Sequence, residues 1–294
     1  GARGMLGSAF VRAWADRRPD DTVIAVGRND FDLMNAAATA EAVRDVAPQL
    51  VIHAAAFVGG IEAKRAQPDR FAAENIAIDA SVLDAAMRAS VPSLVYVSSA
   101  MVYPALAVNP ISETEIMGGP LEAGSEPYAL SKLVGTRRCA YISAQEGLAC
   151  RAIALSNLFG PGDRFTPDRS HLLASAVRKV VDAHADGGTE VEIWGDGTAR
   201  REFTFAPDIA AWVADSAEQV SEWPTLMNIG TGTDHSVGEI YQKVADIVGY
   251  TGEMAFDTSR PSGVHQRLLD SNVAVEHGWA PRTTWHDGVT AVIE

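Results

Sequence analysis

Short runs of apolar, often β-branched residues recur through the first half of the chain, each followed by a stretch with helical patterning. Thr22-Val23-Ile24-Ala25-Val26, Leu50-Val51-Ile52-His53 and Leu94-Val95-Tyr96-Val97 read as strands, while Ala36 to Val46 and about Pro68 to Ala89 read as helices. Strands that are apolar throughout need cover on both faces, so this alternation specifies an α/β fold: a doubly wound parallel sheet, or Rossmann arrangement. Sheets of this kind gather their chemistry at the carboxyl ends of the strands. With 294 residues and 47% apolar side chains, the chain can bury a core of that size.

The opening Gly1-Ala2-Arg3-Gly4-Met5-Leu6-Gly7 runs directly into an amphipathic stretch ending near Ala15. Three glycines, each separated from the next by two residues, read as a phosphate turn. Glycine allows the sharp twist and the close approach of backbone to pyrophosphate, and the helix start supplies N–H groups and partial positive charge. Such a turn expects a buried strand before it, so the sequence as given is expected to begin several residues late; its end at Glu294 is expected to be early. Arg28 stands where NAD-binding folds carry a ribose-binding carboxylate, and arginine there favours the 2′-phosphate of NADP. With Arg3 in the turn, two guanidiniums could flank one phosphate. The competing reading is two solvated arginines, which Asp30 and Asp32 favour mildly. Ala54-Ala55-Ala56, followed by Gly59-Gly60, would let a flat cofactor pass close to the backbone, and His53 is expected to be structural.

Tyr128 and Lys132 are four residues apart in Tyr128-Ala129-Leu130-Ser131-Lys132, so on a helix they share a face. A lone tyrosine is a poor proton donor at neutral pH, and a neighbouring cation corrects this by stabilising the phenolate. Ser99, at the end of the strand through Val97, would face Tyr128. After Asn157 the pattern changes. An irregular loop over 163–170 leads into a helix from His171 to about His184, then a short strand Glu190-Val191-Glu192-Ile193-Trp194. Two domains are expected: residues 1–158 for the cofactor and mainly 159–294 for the substrate, with about 202–222 returning to the first.

The formal charge of −14 repels phosphate backbones, so nucleic acid is not expected as a partner. With only Cys139 and Cys150, and no histidine cluster at ligand spacing, neither a metal nor a disulfide framework is expected. No run approaches membrane-spanning length, and a cytoplasmic enzyme is expected.

The glycine turn, His53-Ala54-Ala55-Ala56, Ser99 and Tyr128-x-x-x-Lys132 together resemble the extended short-chain dehydrogenase/reductases. Within that group, Phe57-Val58-Gly59-Gly60-Ile61, Tyr103-Pro104, Glu126-Pro127-Tyr128-Ala129, Asn157-Leu158-Phe159-Gly160-Pro161, Trp194-Gly195-Asp196-Gly197 and Arg201-Glu202-Phe203 resemble the GDP-L-fucose synthases. The resemblance implies NADPH reduction at C4 of GDP-4-keto-6-deoxy-mannose after epimerisation at C3 and C5. It also implies roles: Tyr128 as proton donor to the C4 oxygen, Ser99 as its partner, Lys132 holding the nicotinamide ribose, Arg3 and Arg28 on the 2′-phosphate, and Gly1, Gly4, Met5, Gly7 and Ala54 to Ala56 around the dinucleotide. Asn157, His171, Trp194, Arg201 and Arg267 would bind the sugar nucleotide, Trp194 against the base and the arginines on the diphosphate. A homodimer through the helices at about 68 to 89 and 128 to 147 is implied as well.

One position departs from that family. A cysteine two residues after the active serine and a histidine form its acid/base pair; here His171 keeps the second position, but Met101 stands at the first. A thioether has no proton to give. The leading expectation is therefore a 4-ketoreductase of a GDP-linked 4-keto-6-deoxy sugar using NADP(H), with epimerisation reduced or absent. A sugar-nucleotide epimerase or dehydratase with tightly held cofactor is a second reading, and a non-catalytic NADP-binding protein a third. Cys139 and Cys150 are expected to fill core.

Overall fold

The computed structural model describes residues 1–145, 147–166, 170–260 and 263–294. In chain order the first half comprises α1 (Met5–Arg17), α2 (Ala36–Val46), β1 (Leu50–His53), α3 (Ile61–Ala66), α4 (Pro68–Arg88), β2 (Ser93–Val97), α5 (Glu126–Gln145) and β3 (Ala149–Leu155). The second comprises β4 (Asn157–Phe159), α6 (Leu172–Asp186), β5 (Glu190–Trp194), β6 (Arg200–Phe205), α7 (Ala206–Asp215), β7 (Leu226–Ile229), β8 (Asp234–Ser236), α8 (Val237–Val248), β9 (Glu253–Asp257), β10 (Gln266–Arg267), α9 (Asn272–Glu276) and α10 (Trp285–Ile293).

The main sheet has the order β1-β2-β3-β7, parallel throughout. Its strands are apolar on both faces, and helices cover both, as parallel sheets require. On one face α1 and α7 pack with β3 and β7 into a core that includes Phe10, Ile153, Ile209 and Met227. Trp212 there lies parallel to Trp223 at 4.6 Å. On the other face α4 and α5 bury Leu83, Ala86 and Ile142 against Leu94, Tyr96 and Cys150. Cys139 and Cys150 are both free and buried in that core.

The run Thr22 to Val26 differs from expectation. It has no ladder partner among the described residues, and Val23 and Ile24 are 43% and 55% exposed. Among the described residues its backbone is tied only at Val26, whose carbonyl accepts from Gly1 N at 3.0 Å and Ala2 N at 3.1 Å. Apolar, β-branched composition favours a strand, but the strand exists only where a neighbour supplies the ladder.

Beyond β3 the chain builds smaller sheets. β6 pairs in parallel with β4 and β10 and antiparallel with β8, while β5 pairs in parallel with β9. The expected strand Glu190–Trp194 and the expected helix after His171 both form. Of the expected loop 163–170, residues 167–169 lie outside the described residues. Helices α6 and α8 close over these sheets, α8 opening with a capping box between Ser236 and Glu239 and ending at Gly249 in the left-handed conformation. Helix α7 then returns to pack on α1. Among the described residues no helix is long and apolar enough to cross a membrane.

Gly135, in mid-α5, is the point at which helix and sheet touch: a β-carbon there would overlap the hydroxyl of buried Tyr96. Alanine at this position should gain about 1 kcal/mol in helix propensity. It should lose more to overpacking, about 1 to 3 kcal/mol, because the ring has nowhere to move. Urea unfolding of Gly135→Ala is thus expected to show net destabilisation; equal or greater stability would mean that the ring can shift.

Candidate active site

The parallel sheet delivers His53 at the end of β1 and Ser98-Ser99 just past β2. The Ser99 hydroxyl accepts from Met101 N at 3.2 Å, which caps a short turn and fixes the serine side chain. Helix α5 runs past these ends, and its first turns carry Tyr128 and Lys132 on the same face. The Tyr128 phenol is hydrogen bonded to Ser99. Burial pushes the Tyr128 pKa well above its ordinary value, and the charge of Asp79 adds to this, while the Ser99 hydrogen bond opposes it. The phenol therefore holds its proton at neutral pH.

Lys132 is 2% exposed, with its ammonium 3.5 Å from Asp79 Oδ1 and 4.6 Å from the centre of the Tyr96 ring. Asp79, on α4, also accepts from the Tyr96 hydroxyl at 2.6 Å and lies 2.8 Å from His53 Nε2. Burial would raise the Asp79 pKa, but Lys132 and the His53 and Tyr96 hydrogen bonds outweigh it and hold the carboxyl below its ordinary range. Burial pushes His53 down. The imidazole is thus neutral and donates through Nε2–H to an ionised carboxylate. His53 has the structural part expected of it: one of three groups orienting Asp79.

At the start of α1, Gly4 is the N-cap and no side chain satisfies the first helical N–H groups. A β-carbon on Gly7 would overlap the Gly1 carbonyl, and one on Gly1 would lie 2.6 Å from the Ala54 carbonyl carbon. The turn is thereby pressed against Ala54 to Ala56 after β1, with Met5 at the helix start. Arg3 Nη2 lies 3.5 Å from Asp30 Oδ1, both groups well exposed, and Asp30 Oδ2 accepts from Gly27 N at 2.6 Å. Arg28 is exposed on the same loop. Unsatisfied helix N–H groups, a turn without side chains and two accessible guanidiniums fit an anionic dinucleotide with an extra phosphate.

A cavity of about 250 Å³ opens where Ser125 leads into α5, lined among others by Met101, Asn157, His171, Trp194, Arg201 and Arg267. His171 is the N-cap of α6 and an exposed residue of the cleft wall. The surrounding protein, then Lys64 and Arg164, push its pKa down to about 4. Arg267 is buried; its Nη1 donates to Ala100 O at 2.7 Å and Tyr103 O at 3.4 Å, tying it to the turn that carries Met101. Its Nη2 is 3.9 Å from Glu122. Arg201 donates to Arg200 O at 2.7 Å and feels the same Glu122 charge. Asn157 donates to Glu202 O at 2.9 Å, so its amide braces β6. Trp194 carries Arg260 4.9 Å and Lys179 5.5 Å from its ring centre.

Sequence reasoning missed Asp79, Lys64 and Glu122. Asp79 had a readable signal, since Phe71, Asn75, Ile78, Asp79 and Val82 fall on the buried stripe of α4, where an unpartnered carboxylate would be costly. Lys64 had none, because α3 is only 6 residues long and too short to display a face.

The model of the NAD dependent epimerase/dehydratase family matches residues 1–230. GDP-L-fucose synthase of Azorhizobium caulinodans is 39% identical over all of this chain and 94% of its own length. Among solved structures, a GDP-6-OMe-4-keto-L-xylo-heptose reductase from C. jejuni superposes with a TM-score of 0.92 at 28% identity, covering 99% of this chain and 94% of that one. A GDP-mannoheptose C4 reductase from Campylobacter jejuni with NADP bound gives 0.89 at 27% identity, covering 100% and 95%.

The Asp79 cluster sets a stability test. Asp79→Asn leaves the Lys132 cation buried without its counter-charge, and breaking a buried pair in this way costs about 3 to 5 kcal/mol. Urea unfolding at pH 7 should show a loss of that size; a loss no larger than that of a surface substitution would mean that Lys132 is not held by Asp79.

Proposed function

The chain belongs to the NAD dependent epimerase/dehydratase family, and on that premise we propose that it is an NADPH-dependent oxidoreductase reducing the C4 ketone of a GDP-linked 4-keto-6-deoxy hexose. One observation carries the reading. The Tyr128 phenol is hydrogen bonded to Ser99 and one helical turn from Lys132, and its ring centre lies 5.3 Å from the ammonium of Lys64, which lines a cavity together with His171, Arg201 and Arg267. A ketone-reducing site needs a proton donor and a second hydrogen-bond donor for its oxygen, and an anionic substrate needs cations nearby. That two similar structures are named as reductases of GDP-linked heptose sugars supports reduction as the reaction.

NADPH, when bound, supplies the hydride that reaches C4. The turn from Gly1 to Gly7, the start of α1 and Ala54 to Ala56 would hold the dinucleotide, and Arg3 and Arg28 would bind its 2′-phosphate. Tyr128 gives its proton to the C4 oxygen while Ser99 hydrogen bonds the same atom. Lys132 stabilises the phenolate that remains and would bind the nicotinamide ribose. Asp79 keeps Lys132 in place. Arg201 and Arg267 attract the substrate diphosphate, Trp194 offers a flat face to the base, and Asn157 completes the wall. A homodimer belongs to the same reading: Leu130, Val134 and Tyr141 on α5 and Ile76 on α4 are 44%, 45%, 54% and 41% exposed.

Met101 limits what accompanies reduction. The thioether on the cavity wall cannot exchange a proton, so inversion at C3 and C5 by a thiol and His171 is not available to this chain.

Tyr128→Phe should keep NADPH binding and lower turnover by about 10²- to 10⁴-fold, the worth of a positioned general acid. Stopped-flow or steady-state NADPH oxidation measures this, and an unchanged rate would remove Tyr128 from the chemistry. In deuterated water before reduction, C3 and C5 should take up little label, or one of them should exchange in a manner dependent on His171. Met101→Cys should raise exchange, since a thiol of pKa about 8.5 offers a few per cent thiolate at neutral pH. Rapid exchange at both carbons in the unaltered protein, read by NMR, would defeat the restricted-epimerisation reading.

A further inference from the structure

Met101 is not the last word on proton transfer in the cavity, because a titratable group that the mechanism above leaves unused shares its wall. Lys64, on α3, is 7% exposed yet lines the same cavity as Met101 and His171. Its ammonium is 3.3 Å from the Ser125 hydroxyl, which also lines the cavity, and 5.3 Å from the centre of the Tyr128 ring, which sets it next to the proposed proton donor. The groups that face it are Glu122 and Ser125 from the segment before α5, Tyr128 in the first turn of α5, and His171 at the cap of α6, with Glu62 and Arg65 on its own helix. Glu122 is shared: Arg267 lies 3.9 Å from it, and its charge also acts on Arg201. A lysine held only to neutralise Glu122 would be the third cation on one carboxylate.

We propose that Lys64 is a proton-transferring residue of the substrate cavity, acting with His171 at one carbon next to the substrate ketone. The inference rests on the 4-keto sugar reading. The protonation states suit these parts. Burial lowers Lys64 to about 8, against the pull of Glu122, and His171 lies near 4. At pH 7 the imidazole is therefore a free base and the lysine mostly an acid. His171 takes the proton from the carbon next to C4. The electron pair of that C–H bond forms the carbon–carbon double bond of an enolate, and the carbonyl pair moves to the C4 oxygen, where Tyr128 and Ser99 donate hydrogen bonds. Lys64 then gives a proton to the same carbon, the enolate pair forms the new C–H bond and the carbonyl returns. Imidazolium and amine reset by giving a proton to water and taking one from it, so no oxidant or reductant is consumed.

The test uses the whole protein with NADP⁺, which cannot reduce, and GDP-4-keto-6-deoxy-mannose in deuterated water, with label at C3 and C5 followed by NMR. NADPH oxidation with the same substrate is followed in parallel. Lys64→Met removes the proton and the charge at similar length. Lys64→Arg keeps the charge but cannot release a proton near neutrality. Both variants should slow the His171-dependent exchange by roughly 10²-fold. Exchange by the unaltered protein should fall as pH rises through about 8, as the acid form of Lys64 is lost. Exchange at the unaltered rate in Lys64→Arg would make the lysine a fixed charge and overturn the proposal. So would a profile with no fall above pH 8, or an unaltered protein that oxidises NADPH with this substrate yet exchanges neither carbon. An unaltered protein that neither oxidises NADPH nor exchanges label with this substrate or other GDP-linked 4-keto sugars would overturn the substrate reading, and the Lys64 proposal with it.

Discussion

Lys132 is a cation almost closed off from water, and the carboxylate of Asp79 is what allows it to stay there. A charge in a low-dielectric site costs several kcal/mol unless it is paired and hydrogen bonded, at about the scale that buried pairs show when broken. Asp79 meets that need by gathering His53 from β1, Tyr96 from β2 and Lys132 from α5 onto a helix, α4, that packs across all three. The cluster therefore locks the layer that positions Tyr128. It also sets the local field. Burial, with the Asp79 charge behind it, raises the Tyr128 pKa, so the phenol keeps its proton.

A second charge imbalance governs the neighbouring cavity. The chain as a whole carries a formal charge of −14, which would repel a nucleotide sugar. Inside the cleft the sign is reversed: Lys64, Arg201 and Arg267 gather around Glu122. Focusing of positive potential in a cleft with low-dielectric walls lets an acidic protein hold an anion at one place and exclude it elsewhere. The same cleft has an acid–base consequence: burial lowers Lys64 to about 8 against the pull of Glu122, while the surrounding protein and the charges of Lys64 and Arg164 lower His171 to about 4, so near neutral pH the amine holds its proton and the imidazole does not.

Where information was local, sequence reading reached the structure. The Tyr128 and Lys132 pair follows from a spacing of four on a helix, the parallel sheet from alternation of apolar runs with helices, and the α6 and β5 elements from periodicity within a dozen residues. Thr22 to Val26 shows the limit of that logic. Its composition favours a strand, yet strand character depends on a ladder partner that composition does not specify, and the segment has none among the described residues.

The sequence alone determined the fold class, the glycine turn and the identity of the paired tyrosine and lysine, because each is written in spacings that the backbone of a helix or strand converts directly into geometry. Tertiary structure alone decided which groups surround them. Asp79 meets His53 and Tyr96 across separations of 26 and 17 residues, and Lys64 meets Ser125 across 61. No local period encodes such meetings. They exist because helices α3, α4 and α5 close over the ends of β1 and β2, and burial there turns ordinary carboxylates and amines into groups whose charge depends on one another.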